Sequence, residues 1–405
     1  MNLLGTATGR RFVFAALYFS EGAPIGFLWW ALPTQLRAQG VPVAEIATLV
    51  SLIAVPWAAK FLWAPLIDIS RHRGGSIRIW IAAAQTVMGA ALLPLLFLDV
   101  TASFPLCAVF LVLHAVAAST QDAAIDTLCI ATVAGPERGE INGWMQTGML
   151  TGRALFGGGT LLLALTLGLN GTIMLVTGTI WLISLLLTLI REPAAQMKDA
   201  RGILPAFISH LRTGVFTRTA LWGLGFALLA GTGFEALGSL AGPYMVDRGV
   251  ATETVGLFFA LPSVLAMALG GLLGGFVSDR VGRFRAVAWF LGVNVTAICG
   301  VGAGDIAGVW SPSLLPVGMT LFYFTIGLFV SSSYALFMDI ANVDLGATQF
   351  TLFMAATNAC ESGAAFTAGL LVPSVGYGTA MLLLAGVSLL TLPLITALRR
   401  SAASQ

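Results

Sequence analysis

The sequence predicts an all-α integral membrane protein of twelve transmembrane helices in two six-helix bundles, with both termini cytoplasmic. Three observations carry that prediction. Of 405 residues, 58% are hydrophobic and 9% charged, whereas a soluble domain has about 25% charged residues and needs them for its surface. Apolar runs long enough to cross a bilayer, about 20 residues at helical rise, recur along the whole chain. The two halves also resemble each other at an offset of about 210 positions.

Taken in order, the runs cover 12–36, 43–67, 78–98, 104–132, 140–167 and 171–190, then 219–245, 253–277, 285–303, 313–338, 347–371 and 376–397. The first follows "MNLLGTATGRR". It is longer than the apolar core of a secretion signal and shows no small-residue cleavage site, so it reads as a retained helix. Within it, "YFSEGAPIGFLWW" (Tyr18 to Trp30) sets Glu21 beside the helix-weakening Gly22, Pro24 and Gly26. The longest polar stretch, 191–218, separates a first bundle at 1–190 from a second at 219–405. It reads as a cytoplasmic linker, with a short amphipathic helix on the membrane surface around Leu204 to Leu211. Sixteen of the twenty Lys and Arg lie in segments on one side and only Arg37 and Arg248 in loops on the other, which makes the first side cytoplasmic. Cys107, Cys129, Cys299 and Cys360 fall inside apolar runs without paired spacing or a nearby His, so neither a disulfide framework nor a metal site is expected.

The repeat is visible in "RAQGVPVAEIATL" from Arg37 and "VDRGVATETVGLF" from Val246. Each has a Gly-Val pair and then an acidic residue, Glu45 or Glu253, opening the next helix, which Asp68 or Asp279 closes. An even number of helices per half makes the repeat parallel, as in carriers that rock two bundles around a central site.

The sharpest local signature is "GGFVSDRVGRFRAV" (Gly274 to Val287). Gly275 permits close helix contact, Asp279 can cap a helix or pair with a base, and Arg280, Arg283 and Arg285 hold the cytoplasmic face. A degraded copy, "APLIDISRHRGG", keeps Asp68. This pattern resembles the inner-loop motif of the major facilitator superfamily. The segments "KFLWAPLID", "STQDAAID", "PERGEINGWMQTGMLTGRALFGGG" and "GATQFTLFMAA" look like the AmpG-type permease branch, which includes muropeptide permeases, acetyl-coenzyme A transporters and inner-membrane siderophore permeases. The muropeptide permeases carry two further C-terminal helices. The opening "SEGAPIGF…LPTQLRAQGV" is similar to the shorter siderophore permeases, so the resemblance implies a siderophore as substrate and a muropeptide as the alternative.

Ionisable residues inside a span cost about 2.5–3.5 kcal/mol each and are functional candidates by default. They are Glu21, Lys60, Asp122, Asp126, Arg153, Glu235 and Glu361, with His114 as a possible addition. Lys60 and Asp126 lie near helix ends and suit gating or structural pairing. Asp122 and Asp126 share a helix face, with Gln121 close by. Arg153 needs a carboxylate partner, for which Asp122 is the first choice. Glu235 and Glu361 have no basic neighbour in their own helices, and a carboxyl group in that setting can exchange protons with a carrier's cycle. Glu361 corresponds roughly to Arg153 in the repeat. Phe27, Trp30, Trp144, Phe234 and Tyr244 could line a substrate pocket, although Trp and Tyr also favour membrane interfaces.

The function expected is a secondary transporter of the bacterial inner membrane, a monomer importing an organic solute by alternating access with proton coupling. Its partners are a small-molecule substrate, protons and the lipid bilayer, with no nucleic acid and no cofactor. No GxxxxGK phosphate loop supports an ATP-driven pump, and the scattered His72, His114 and His210 suggest no enzyme. A non-transporting receptor or scaffold gives no reason for mid-depth carboxylates. Glu21 is expected to face the central cavity and either exchange a proton or contact substrate.

Overall fold

The computed structural model describes residues 2–99, 102–134, 137–192, 205, 209, 217–341 and 346–402. Among them there is no strand. The helices are α1 (Ala7–Gly26), α2 (Leu32–Ala38), α3 (Val43–Ala59), α4 (Ala64–His72), α5 (Ile77–Leu92), α6 (Phe104–Thr132), α7 (Arg138–Arg153), α8 (Ala164–Ser184) and α9 (Arg218–Leu229). The chain continues with α10 (Thr232–Ser239), α11 (Ala241–Asp247), α12 (Thr252–Ala260), α13 (Pro262–Val281), α14 (Arg283–Ile306), α15 (Leu315–Ile340), α16 (Gly346–Leu389) and α17 (Leu392–Ala402). Local chemistry explains several starts. The Thr6 hydroxyl accepts from the Gly9 N–H at 3.1 Å and caps α1. Pro105, Pro262 and Pro316 sit in the first turns of α6, α13 and α15, where a missing N–H leaves no helical bond unmade.

Ten described runs are long and apolar enough to cross a membrane. Three of the expected spans are treated differently by the chain. The stretch expected at 140–167 begins with α7, whose charged and polar positions keep it out of the apolar set, and passes through a π-helical turn at Ala154–Gly159. The two runs expected last form one helical stretch, Gln349–Ala402, interrupted at Gly376 where φ is 79°. Large apolar side chains such as Leu272, Val317 and Leu182 stand 74%, 65% and 68% exposed, a surface that lipid covers and water would not. Most of the expected linker at 191–218 lies outside the described residues.

The half-chain repeat is written into the backbone. Six glycines with left-handed φ form three pairs: Gly40 and Gly249, 209 apart, then Gly74 and Gly282, and Gly168 and Gly376, each 208 apart. The first pair ends its helices identically. The N–H of Val41 bonds Leu36 O and that of Val250 bonds Met245 O, both at 3.0 Å, closing the helix ends in the manner that favours Gly. On the same offset, Arg153 corresponds to Glu361.

By internal contacts the chain divides into two compact units, Met1–Leu32 with Ala59–Phe207, and Pro33–Ala58 with Ile208–Gln405. In the first unit α1 lies against α7 so closely that glycine is required. A Cβ on Gly22 would meet Met149 O at 2.2 Å, one on Gly26 Arg153 O at 2.4 Å, and one on Gly148 Ala15 O at 2.0 Å. Gly22 and Gly26 therefore serve close packing, a use distinct from the bend that a Gly- and Pro-rich helix suggests. The local irregularity of this run is a π-helical turn at Phe27–Ala31, three residues beyond Pro24. In the second unit α13 and α15 approach in the same way, with a Cβ on Gly270 falling 2.1 Å from Phe324 O. The stretch Pro33–Ala58 belongs to this unit through Arg37 Nε donating to Asp247 at 2.6 Å, Ser51 and Ser362 hydroxyls 3.0 Å apart, and Asn358 Nδ2 donating to Trp57 O at 3.3 Å.

Gly148→Ala is expected to destabilise the protein by about 1–3 kcal/mol, the range for overpacking. Gly292→Ala, where an added Cβ meets nothing within 4 Å, should be neutral or stabilising by up to about 1 kcal/mol from helix propensity. Thermal denaturation of the two detergent-purified variants checks this, and equal melting temperatures would contradict the close α1–α7 contact.

Candidate functional site

Glu21 lies on α1 at 1% exposure, one turn after Tyr18, which is 6% exposed. Opposite them α6 presents Gln121, Asp122 and Asp126. The Tyr18 hydroxyl donates to Asp126 Oδ1 at 2.8 Å and lies 3.3 Å from Asp122 Oδ1. Lys60 comes from the 3-10 turn Lys60–Leu62 that follows α3, and its ammonium donates to Asp122 Oδ2. Trp63, just after that turn, holds it to α6 by donating from Nε1 to Thr120 Oγ1 at 3.0 Å. Beside Glu21, the Ser20 hydroxyl donates to Leu17 O at 2.6 Å and accepts from Gln85 Nε2 at 3.0 Å and Gln121 Nε2 at 3.5 Å.

Arg153 is the partner expected from sequence for Asp122, and the structure places the Lys60 ammonium on that carboxylate. α7, which carries Arg153, lies along α1, the helix of Glu21, while α6 lies along α5. The long Lys60 stem then spans to Asp122. Lys60, Asp122, Asp126 and Arg153 all lie within Coulombic range of Glu21. Three carboxyl groups thus face two cations, and full ionisation leaves one negative charge in a low-dielectric interior. Glu21 Oε2, Gln85 Oε1 and Gln121 Oε1 are buried acceptors without a hydrogen-bond partner. Such a cluster can take up one proton, or accept hydrogen bonds from a ligand. His114 lies outside it, its Nδ1 held 2.8 Å from Met88 O.

The other candidates distribute as follows. Phe27 and Trp30 are buried in the π-helical turn, and a Cβ on Gly157 would fall 2.6 Å from the Trp30 ring. Trp144, 42% exposed, lines an apolar groove with Phe12, Phe19 and Leu182. In the second unit, Phe234 and Glu235 line a small aromatic cavity. Glu361 lies on α16, half-buried. At the loop motif, Arg283 pairs with Asp279 and, at 3.1 Å, with Asp339 Oδ2, tying α13, α14 and α15 together. The Arg280 guanidinium sits 3.3 Å above the Phe276 ring, and a Cβ on Gly275 would lie 3.4 Å from Ser331 Oγ. The Asp68 side chain lies outside the described residues.

Tyr244 belongs to a second polar cluster that sequence reasoning missed. Its hydroxyl donates to Asp305 Oδ1 at 3.0 Å. Asp305 also accepts from Arg248 Nε at 2.5 Å, Arg248 Nη2 at 2.8 Å and the Gly378 N–H at 3.0 Å. Tyr377 donates to Asp247 at 2.9 Å, and its ring centre stands 5.0 Å from that of Tyr244. The two arginines assigned to outer loops, Arg37 and Arg248, were the available signal, since each now has an acidic partner at a helix end. In the first cluster, Tyr18 was missed too. Its one-turn spacing from Glu21 was the clue.

Residues 14–366 match the Major Facilitator Superfamily. The anhydromuropeptide permease of Escherichia coli K12 is 26% identical over 402 residues, covering 91% of this chain and 76% of that protein. The putative transporter AmpG 4 of Rickettsia conorii is 22% identical, covering 91% of each. Among solved structures, the nucleoside transporter NupG superposes with a TM-score of 0.73 at 14% identity, covering 99% of this chain and 100% of that one. The D-xylose-proton symporter does so at 0.73 and 12%, covering 96% and 98%. At such identities the structural likeness is one of fold alone.

Proposed function

Because the chain belongs to the Major Facilitator Superfamily, a family of transporters, we propose that it is a proton-coupled secondary transporter for an anhydromuropeptide-like solute. The observation that carries coupling is the first-unit cluster. Glu21, buried with an unpartnered oxygen, shares it with two further carboxyl groups and only two cations. One bound proton makes the set neutral, and a neutral set crosses between conformations at lower electrostatic cost than a charged one. The AmpG-type relatives support the substrate class, since an anhydromuropeptide permease aligns along 91% of the chain. The siderophore expected from sequence rests on the opening motif, and neither relative named above is described as a siderophore permease. Twelve spans with cytoplasmic termini, a bacterial inner-membrane location and a monomeric working unit complete the reading.

The test is uptake into proteoliposomes of the full chain under an imposed pH gradient, with a labelled anhydromuropeptide and a ferric siderophore in parallel. Accumulation of the muropeptide, lost when the gradient is collapsed, is the expected result. Siderophore accumulation alone would overturn the substrate, and accumulation indifferent to the gradient would overturn the coupling.

A further inference from the structure

The repeat offsets carry the charged cluster of the first half onto a definite place in the second. With 208, fixed by the glycine pairs on both sides of α6, Gln121, Asp122 and Asp126 correspond to Phe329, Val330 and Tyr334. With 209, fixed by Gly40 and Gly249, Tyr18 and Glu21 correspond to Ala227 and Ala230. All five of these counterparts line one cavity. The positions that carry the charged cluster in the first half are thus the positions that line a ring-walled cavity in the second.

That cavity has a volume of about 30 Å³, above the roughly 10–15 Å³ that admits one water-sized group and a size that suits a methyl group. Its apolar walls are edge-on rings: Phe329 stands 6.3 Å from Phe226 and 5.9 Å from Phe234, centre to centre. Two polar groups border it. Ser333 is 4% exposed, lines the cavity, and its hydroxyl has no hydrogen-bond partner, so it is available to donate. The Glu235 carboxyl group also lines the cavity and can accept. An acetamido group asks for this set: an apolar socket for the methyl, one donor for the carbonyl oxygen and one acceptor for the N–H. We propose that this cavity is an acetamido subsite, which receives the N-acetyl group of an amino sugar. The assignment rests on the anhydromuropeptide reading, because such solutes carry N-acetyl groups on their sugars, but its test does not depend on transport.

The experiment is thermal stabilisation of the purified full-length protein titrated with N-acetylglucosamine, N-propionylglucosamine and glucosamine, since a ligand of the folded state stabilises by its saturation. N-acetylglucosamine is expected to bind at least about fivefold tighter than the propionyl compound, whose extra methylene overfills the socket. Ser333→Ala should weaken N-acetyl binding by about two- to tenfold through one lost neutral hydrogen bond. Ala230→Val should erase the acetyl-over-propionyl preference by filling the hollow. Equal binding of the three sugars, or a preference intact in both variants, overturns the proposal, and tighter binding of glucosamine would reassign the cavity to an ammonium group. Loss of muropeptide uptake with this sugar preference retained would sink the transport reading and leave the subsite standing.

Discussion

Asp305→Ala is expected to lower the stability of the folded protein by about 3 kcal/mol, the low end for breaking a buried ion pair. The carboxylate is 5% exposed and accepts four bonds, two from Arg248 and one each from Tyr244 and the Gly378 N–H. Removing it strands a tyrosine hydroxyl and a backbone donor and takes the counterion from Arg248. The low end applies because Arg248 is 36% exposed and can recover hydration. Hydrogen bonding to Asp305 holds the Arg248 guanidinium above its ordinary range. A cation raised in the folded state contributes its full stability at every pH below its ordinary value, so this part of the effect should be flat through neutral pH. Asp305→Asn keeps one acceptor oxygen for Tyr244 or Gly378 and should fall between wild type and Ala. Melting temperatures of the three purified proteins give the order, and an Asp305→Ala protein that melts with wild type would show that this cluster contributes nothing to the fold.

The cluster around Asp305 illustrates what could be read from the chain and what could not. Length and polarity of each apolar run depend on nearby residues only, so most spans were legible, and so was the repeat from its Gly-Val pairs, which the left-handed Gly40 and Gly249 now explain. The span containing α7 was marked correctly as a helix, but its polar face gave no hint that Gly148 lies against Ala15. Pairings across helices are a different matter. Lys60 and Asp122 are 62 positions apart, and their meeting depends on the turn that Trp63 pins to α6. The same limit hid the aromatic cavity, whose walls come from separate helices. Candidate residues could therefore be chosen by polarity at depth, while their partners required knowing which helix lies beside which.

Glu21→Gln is expected to abolish accumulation driven by a pH gradient, a loss of about a hundredfold or more, while leaving exchange of substrate across the membrane without a gradient. The change keeps the size and one acceptor oxygen of a side chain buried at 1% exposure, and removes the one charge by which three carboxyl groups exceed two cations. The cluster is then neutral without a proton, so conformational exchange no longer requires one and a gradient has nothing to act on. Asp122→Asn provides the contrast. It makes the cluster's net charge zero as well, but breaks the ion pair by which Lys60 is bonded to α6, and should impair folding as well as transport, because breaking a buried pair destabilises where removing the surplus charge does not. If Glu21→Gln still accumulated substrate with the gradient, the coupling proton would reside elsewhere. If it lost exchange as well as accumulation while keeping its melting temperature, Glu21 would contact the substrate itself. Counterflow and gradient-driven uptake measured on one proteoliposome preparation separate the two roles that remained open for this residue in the sequence.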